Sequence, residues 1–408
     1  MDHLSVPQVL GLLAIVLGTA KLFGASFQYF GQPAVLGELI AGVVLGTSAI
    51  GLVNPKGETL QLLAELGVVI LLLEIGLETD LAKLLKVGGA ALMVASVGVV
   101  LPFAFGFAVC SALGLSNLTS LVAGATLTAT SVGITARVLL DLNRLQEPES
   151  QIILGAAVLD DVMGLVILAV VTTLTRGEEV TAVGIAETAG LACGFLVGTL
   201  LIGRFAIPVL VRHACRIDLP GTPTILALSL AFALAWLAAE SGSALIIGAF
   251  ATGLLLRETP HAQEMTQGVT RLGHFFVPIF FVSVGAAVDV HALNPFDPTN
   301  DQTFLIGGLL LVAAVAGKFL AGYSPFWFRG QKRVVGVGMI PRGEVGLIFA
   351  QMGLATGAFT SGVFGAIMFV IMATTFLTPP LLKRVFPPLE PNRIPSEPAG
   401  IADLVTKS

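Results

Sequence analysis

Gly155-Ala156-Ala157-Val158-Leu159-Asp160-Asp161-Val162-Met163-Gly164 sets two adjacent carboxylates in the middle of an apolar run that reaches from Ile152 to about Val171. A charged side chain at the centre of a membrane helix costs roughly 2.5–3.5 kcal/mol even on the lenient insertion scale. Two in succession are not retained there for packing. Carboxylates at that depth must face a protein-lined cavity rather than lipid, which makes them candidates for binding a cation or a proton.

Composition fixes the environment of that run. The 408 residues are 55% hydrophobic and 12% charged, and the mean hydropathy is +0.93. Soluble domains carry about 25% charged residues, so this is an all-α integral membrane protein. The 47 glycines suit close helix–helix contact and helix breaks. Cys110, Cys193 and Cys215 are scattered, without metal or redox spacing. No enzyme chemistry, cofactor or nucleic-acid partner is expected.

Apolar segments long enough to span a bilayer fall at 7–28, 33–52, 60–77, 86–114, 118–139, 150–174, 180–210, 222–239, 243–256, 268–288, 303–322, 333–354 and 360–385. That makes thirteen, with 243–256 the shortest. Basic residues test the count, because they crowd the cytoplasmic loops and span ends. Seventeen of the Lys and Arg fall on the side of the C-terminus, whereas only Lys56 and Arg176 fall on the other. The expected topology is therefore an outside N-terminus and a cytoplasmic C-terminus, in the plasma (inner) membrane. The two remaining basic residues, Lys318 and Arg342, lie within the eleventh and twelfth segments.

Two segments read as broken. The fifth contains Thr126-Leu127-Thr128-Ala129-Thr130-Ser131-Val132-Gly133-Ile134-Thr135, rich in hydroxyls and poor in helix propensity. The twelfth contains Gly336-Val337-Gly338-Met339-Ile340-Pro341-Arg342-Gly343-Glu344, and proline inside a helix removes a backbone hydrogen bond and clashes one turn back. Irregular backbone at membrane depth is tolerated only where protein buries it or water reaches it. The two lie seven segments apart, so they run in opposite directions. Paired interrupted segments in inverted positions point to a transporter binding site.

In order along the chain, these residues resemble those of bacterial monovalent cation:proton antiporters, of the type that includes Na+/H+ antiporters. The resemblance rests on Gly37-Glu38-Leu39-Ile40-Ala41-Gly42-Val43-Val44-Leu45-Gly46, then Thr130-Ser131-Val132-Gly133, Leu159-Asp160-Asp161, Gly317-Lys318 and Pro341-Arg342-Gly343-Glu344-Val345-Gly346, and it covers residues 5–385. It implies inverted-topology repeats with two crossing broken helices. A core ion-transport domain would comprise 86–174 and 303–385, and a dimerising panel 1–84 and 222–288. The stretch 180–215 would be a linking helix and 386–408 a short cytoplasmic tail. Many members of the family add a nucleotide-binding domain, which this sequence lacks.

By the same resemblance, Asp161 binds cation and proton in turn, while Asp160 pairs with a lysine. Adjacent helix residues point about 100° apart, so one carboxylate can face a cavity while the other reaches a neighbouring helix. Lys318, in the inner half of the eleventh segment, is the expected partner of Asp160; otherwise it snorkels to the cytoplasmic interface. Arg342 and Glu344 are expected to neutralise the exposed ends of the broken helices, roughly −0.5 and +0.5 of a charge. Thr130 and Ser131 could offer oxygens to a hard cation or bond back to their own helix. Glu38, Glu65, Glu74, Glu78, Glu187 and Glu240 are read as interfacial or panel residues and assigned no role in transport.

The function expected is antiport of Na+ against protons by alternating access, electrogenic, in a homodimer, serving pH homeostasis. Li+ is a possible further substrate. K+/H+ exchange and a cation channel are the alternatives; a channel would need no proton coupling. An aspartyl protease would need its two aspartates facing each other, which adjacent residues on one helix cannot do.

Overall fold

The computed structural model describes residues 5–55, 57–175, 181–215, 219–288 and 301–387. Among these it contains sixteen helices: α1 Val6–Tyr29, α2 Ala34–Leu45, α3 Glu58–Glu78, α4 Leu81–Lys86, α5 Gly88–Ala112, α6 Asn117–Thr126, α7 Val132–Asp141, α8 Pro148–Thr175, α9 Ala182–Ala214, α10 Thr222–Glu240, α11 Leu245–Arg257, α12 Ala262–Ala286, α13 Asp301–Ala321, α14 Lys332–Gly338, α15 Glu344–Ala355 and α16 Ser361–Val385. Each of the thirteen apolar segments contains a helix, and the fifth and twelfth contain two apiece. Among the described residues, nine helices are long and apolar enough to cross a membrane.

One segment is a shorter helix than its hydropathy suggests, and the segment expected to be shortest is short. The second helix, α2, has only 12 residues. At 1.5 Å per residue it runs about 18 Å, against roughly 30 Å of hydrocarbon. It stops at Gly46, where the chain turns and bridges back to Val53. The ninth segment gives the 13-residue α11, which starts only after a turn at Gly242 with φ 72°. The short helix α4 was not expected at all; Asp80 starts it by accepting the backbone N–H groups of Ala82 and Lys83. Most of the expected tail, 388–408, lies outside the described residues.

Packing sorts the helices. One buried cluster draws only on α5, α6, α8, α13, α15, α16 and the loops beside them. Two others draw on α1, α2, α3, α9, α10, α11 and α12. The largest cluster runs between these groups, and their meeting surface is called the seam below. Within the second group, α2 and α12 approach until their backbones touch. A Cβ on Gly42 would lie 2.2 Å from the Val282 carbonyl oxygen, and one on Gly285 would lie 2.0 Å from that of Leu39. Only glycine permits that contact.

Candidate functional site

The site is built around α8. Asp160 and Asp161 occupy its middle and are 1% and 3% exposed. Lys318 on α13 is fully buried, and its Nζ donates to Asp160 Oδ2 at 2.8 Å. The lysine therefore does not snorkel. A buried ion pair survives only with good geometry, because each charge costs several kcal/mol to desolvate. Asp161 leaves α8 in another direction. It lines a tight hollow with Leu72 of α3, Val132 of α7 and Ile246, Ile247 and Phe250 of α11. One carboxylate is thus held by a lysine inside the first helix group, and its neighbour sits on the seam.

The two helix breaks meet beside this pair. Residues 127–131 separate α6 from α7, and 339–343 separate α14 from α15. The Ser131 N–H donates to the Pro341 carbonyl at 2.8 Å. Thr135 Oγ1 donates to Gly338 O at 2.7 Å, and Thr130 Oγ1 to Met339 O at 3.4 Å. Helix ends leave backbone groups unsatisfied, and here each break supplies partners for the other.

Arg342 is fully buried in the second break. Its guanidinium donates to Ile340 O at 2.8 Å and to Met339 O and Ala314 O at 3.4 Å. Positive charge is thereby placed on the carbonyls that end α14, where the helix dipole is negative. Thr375 Oγ1 on α16 donates to the Arg342 carbonyl at 2.8 Å. Glu344 is the first residue of α15; its side chain lies outside the described residues. The charges of Asp160, Asp161 and Arg342 all act on Lys318, so the four form one electrostatic unit. Two carboxylates balance two cations there.

A second, narrow cavity opens along the seam between α2, α12, α15 and α16, with Arg342 and Gly343 in its wall. Its remaining lining is almost wholly apolar. The hollow at Asp161 and this cavity both lie where the two helix groups meet.

The sequence profile described as "Sodium/hydrogen exchanger, transmembrane" matches residues 12–386. The chain belongs to the sodium/hydrogen exchanger family. It is 38% identical to the high-affinity Na+/H+ antiporter NhaS3 of Synechocystis sp., over 97% of this chain and 93% of that protein. It is 32% identical to the Na+/H+-K+ antiporter GerN of Bacillus cereus, over 92% and 95% of the two chains. Its fold matches that of the sodium proton antiporter MjNhaP1 from Methanocaldococcus jannaschii with a TM-score of 0.67, at 16% identity, over 91% and 95% of the two chains.

One charged cluster in this family member was not anticipated. Arg137 and Asp141 on α7 pair at 3.1 Å. Glu38 on α2 and Glu74 on α3 are buried and act on Arg137 through their charges. In the sequence Glu38 and Glu74 read as residues near interfaces or paired across the panel, with no role in transport. The only local signal was the i,i+4 spacing of Arg137 and Asp141.

Proposed function

We propose that the chain exchanges a monovalent cation, Na+ foremost, for protons by alternating access. The observation that carries this reading is a nearly buried carboxylate, Asp161, on the seam beside an ion-paired Asp160–Lys318 and two helix breaks. A carboxylate there can hold a proton or a small cation, but not both. Thr130 and Ser131 supply hydroxyl and backbone oxygens near the break, the ligand type that hard cations prefer.

In this account the group built on α5–α8 and α13–α16, within 86–174 and 303–385, is the moving core. The group within 1–84 and 222–288 is the panel that dimerises, and α9, within 180–215, links them. The sorting of the buried clusters supports the division. The chain lies in the plasma membrane with its N-terminus outside and its C-terminus in the cytoplasm, as the distribution of basic residues suggests.

The ion step follows from the charge balance. With no cation bound, Asp160 is held by Lys318 and Asp161 carries a proton. A cation arriving at Asp161 displaces that proton and draws Asp160 from Lys318. An ammonium stripped of its partner in a poorly hydrated site gives up a proton. Two protons leave for one cation, and the imbalance makes exchange sensitive to voltage, by roughly 2.3 kcal/mol per charge per 100 mV.

The test is proton and cation flux in proteoliposomes supplied with Na+, Li+ or K+ in turn. Na+ should dissipate an imposed pH gradient, and K+ should do so less. Cation movement that ignores the pH gradient would identify a channel instead. Preference for K+ would change the substrate but keep the mechanism.

A further inference from the structure

Besides the Asp160–Asp161 site, the seam holds a second set of buried charges, in the half nearer the cytoplasm in the proposed orientation. Asp141 ends α7, and its carboxylate pairs with Arg137 at 3.1 Å. Val35, in the first turn of α2, lies beside that carboxylate, and Pro33 gives the turn no side-chain cap. A charged residue of one helix group therefore meets the start of a helix of the other.

Glu38 lies three residues beyond Val35 and so on the same face of α2. It is 5% exposed, and its Oε2 has no hydrogen-bond partner. The charges bearing on it are Arg137 and Asp141 from α7 and Lys21 from α1. Of the other helices packed on α2, α12 makes its closest approach at Val282–Ala286. That is two turns or more beyond its charged or titratable residues Glu264, Arg271 and His274. The remaining one, α16, carries Lys383 and Arg384 in its last turn.

The single guanidinium of Arg137 is thus shared. Asp141 is bound to it directly, and Glu38 and Glu74 both draw on it. Glu74 in turn sits against α12, where a Cβ on Gly273 would lie 3.1 Å from its Oε2. Three carboxylates against Arg137 and the weaker pull of Lys21 still leave negative charge in excess. A buried carboxylate with an unpaired oxygen is costly while ionised and much less so while protonated. Asp141 has the Arg137 guanidinium at 3.1 Å, whereas Glu38 has an oxygen with no partner, so the proton falls to Glu38.

We propose that Glu38 holds an exchangeable proton while α7 lies against α2, forming a second proton site that is distinct from Asp161 and controls the seam. Its coupling to transport rests on the core-and-panel reading given above. Val132 at one end of α7 borders Asp161, and Asp141 at the other meets the first turn of α2. About 13 Å of rigid half-helix joins the two places, at 1.5 Å per residue. Movement that opens the seam removes Asp141 and Arg137 from Glu38 and admits water, and the proton is released to the cytoplasm.

The test is infrared difference spectroscopy of the full-length protein in lipid, titrated with pH in the Asp161→Asn background. There the ion site cannot trade a proton, so the outcome is independent of whether the chain transports at all. A protonated-carboxyl band should persist at pH values where an exposed glutamate is ionised, and Glu38→Gln should remove it. No such band, or one undiminished by Glu38→Gln, overturns the proposal. If Glu38→Gln does not assemble, Arg137→Gln carries the test. Removing the shared cation must shift loss of the band to higher pH, and an unchanged titration overturns the proposal equally.

Discussion

Asp160 and Lys318 lose solvent together, so neither can be removed without stranding the other. Breaking a buried pair from one side costs about 3–5 kcal/mol, while replacing both partners costs far less. Asp160→Asn and Lys318→Gln should each lower the thermal unfolding temperature in detergent. The double variant should recover much of the loss. If the singles are as stable as the parent, the pair is not the buried contact described. Lys318→Gln should also reduce the charge moved per cycle toward electroneutral exchange, read as current on solid-supported membranes. Asp161 carries a different expectation: Asp161→Asn should fold normally and lose Na+-driven proton movement. Asp160 and Asp161 were conspicuous in the sequence because nothing else in their apolar run is charged. Lys318 was legible for the same reason. The Glu38 cluster was not, since its members stand near segment ends, where glutamate and arginine are ordinary, and only the packing of α2 and α3 against α7 brings them together.

Half-helices α7, α14 and α15 owe their ends to chemistry that a sequence displays. Pro341 lacks the N–H that a continuous helix would need, and Thr128 turns both its N–H and its Oγ1 back to Ala125 O, at 3.0 and 2.7 Å. That is why both breaks were readable. Their mutual satisfaction was not, because Ser131 with Pro341 and Thr135 with Gly338 are contacts between distant segments. Arg342 reaches three carbonyls, on Met339, Ile340 and Ala314, through a planar fork that a lysine ammonium does not reproduce. Arg342→Lys should therefore keep the charge and still destabilise the break, by about 1–3 kcal/mol for carbonyls left unpaired. The check is the unfolding temperature together with apparent Na+ affinity; a variant matching the parent in both would reduce Arg342 to a counter-charge. The length of α2 escaped the sequence because hydropathy continues past Gly46, where the chain turns; the shortness of α11 was legible, since 243–256 already read as the shortest segment.

At the scale of the molecule, the account needs the two helix groups to move against each other. Gly133 on α7 and Val68 on α3 face across the seam, and a Cβ on Gly133 would lie 3.7 Å from Val68 Cγ2. Cysteines at these two positions, with Cys110, Cys193 and Cys215 replaced, should arrest exchange when oxidised and restore it when reduced. Exchange undiminished by a complete crosslink would mean that the seam does not open. Division into two groups came from the family resemblance rather than from hydropathy, which counts spans but does not sort them. What joins residue, helix break and seam is one claim, that cation and proton take turns on the same buried carboxylate. Its most direct test is the apparent Na+ affinity of exchange, measured in proteoliposomes at several pH values. The account predicts that affinity weakens steadily as pH falls, because protons occupy Asp161; an affinity independent of pH across the active range would contradict it.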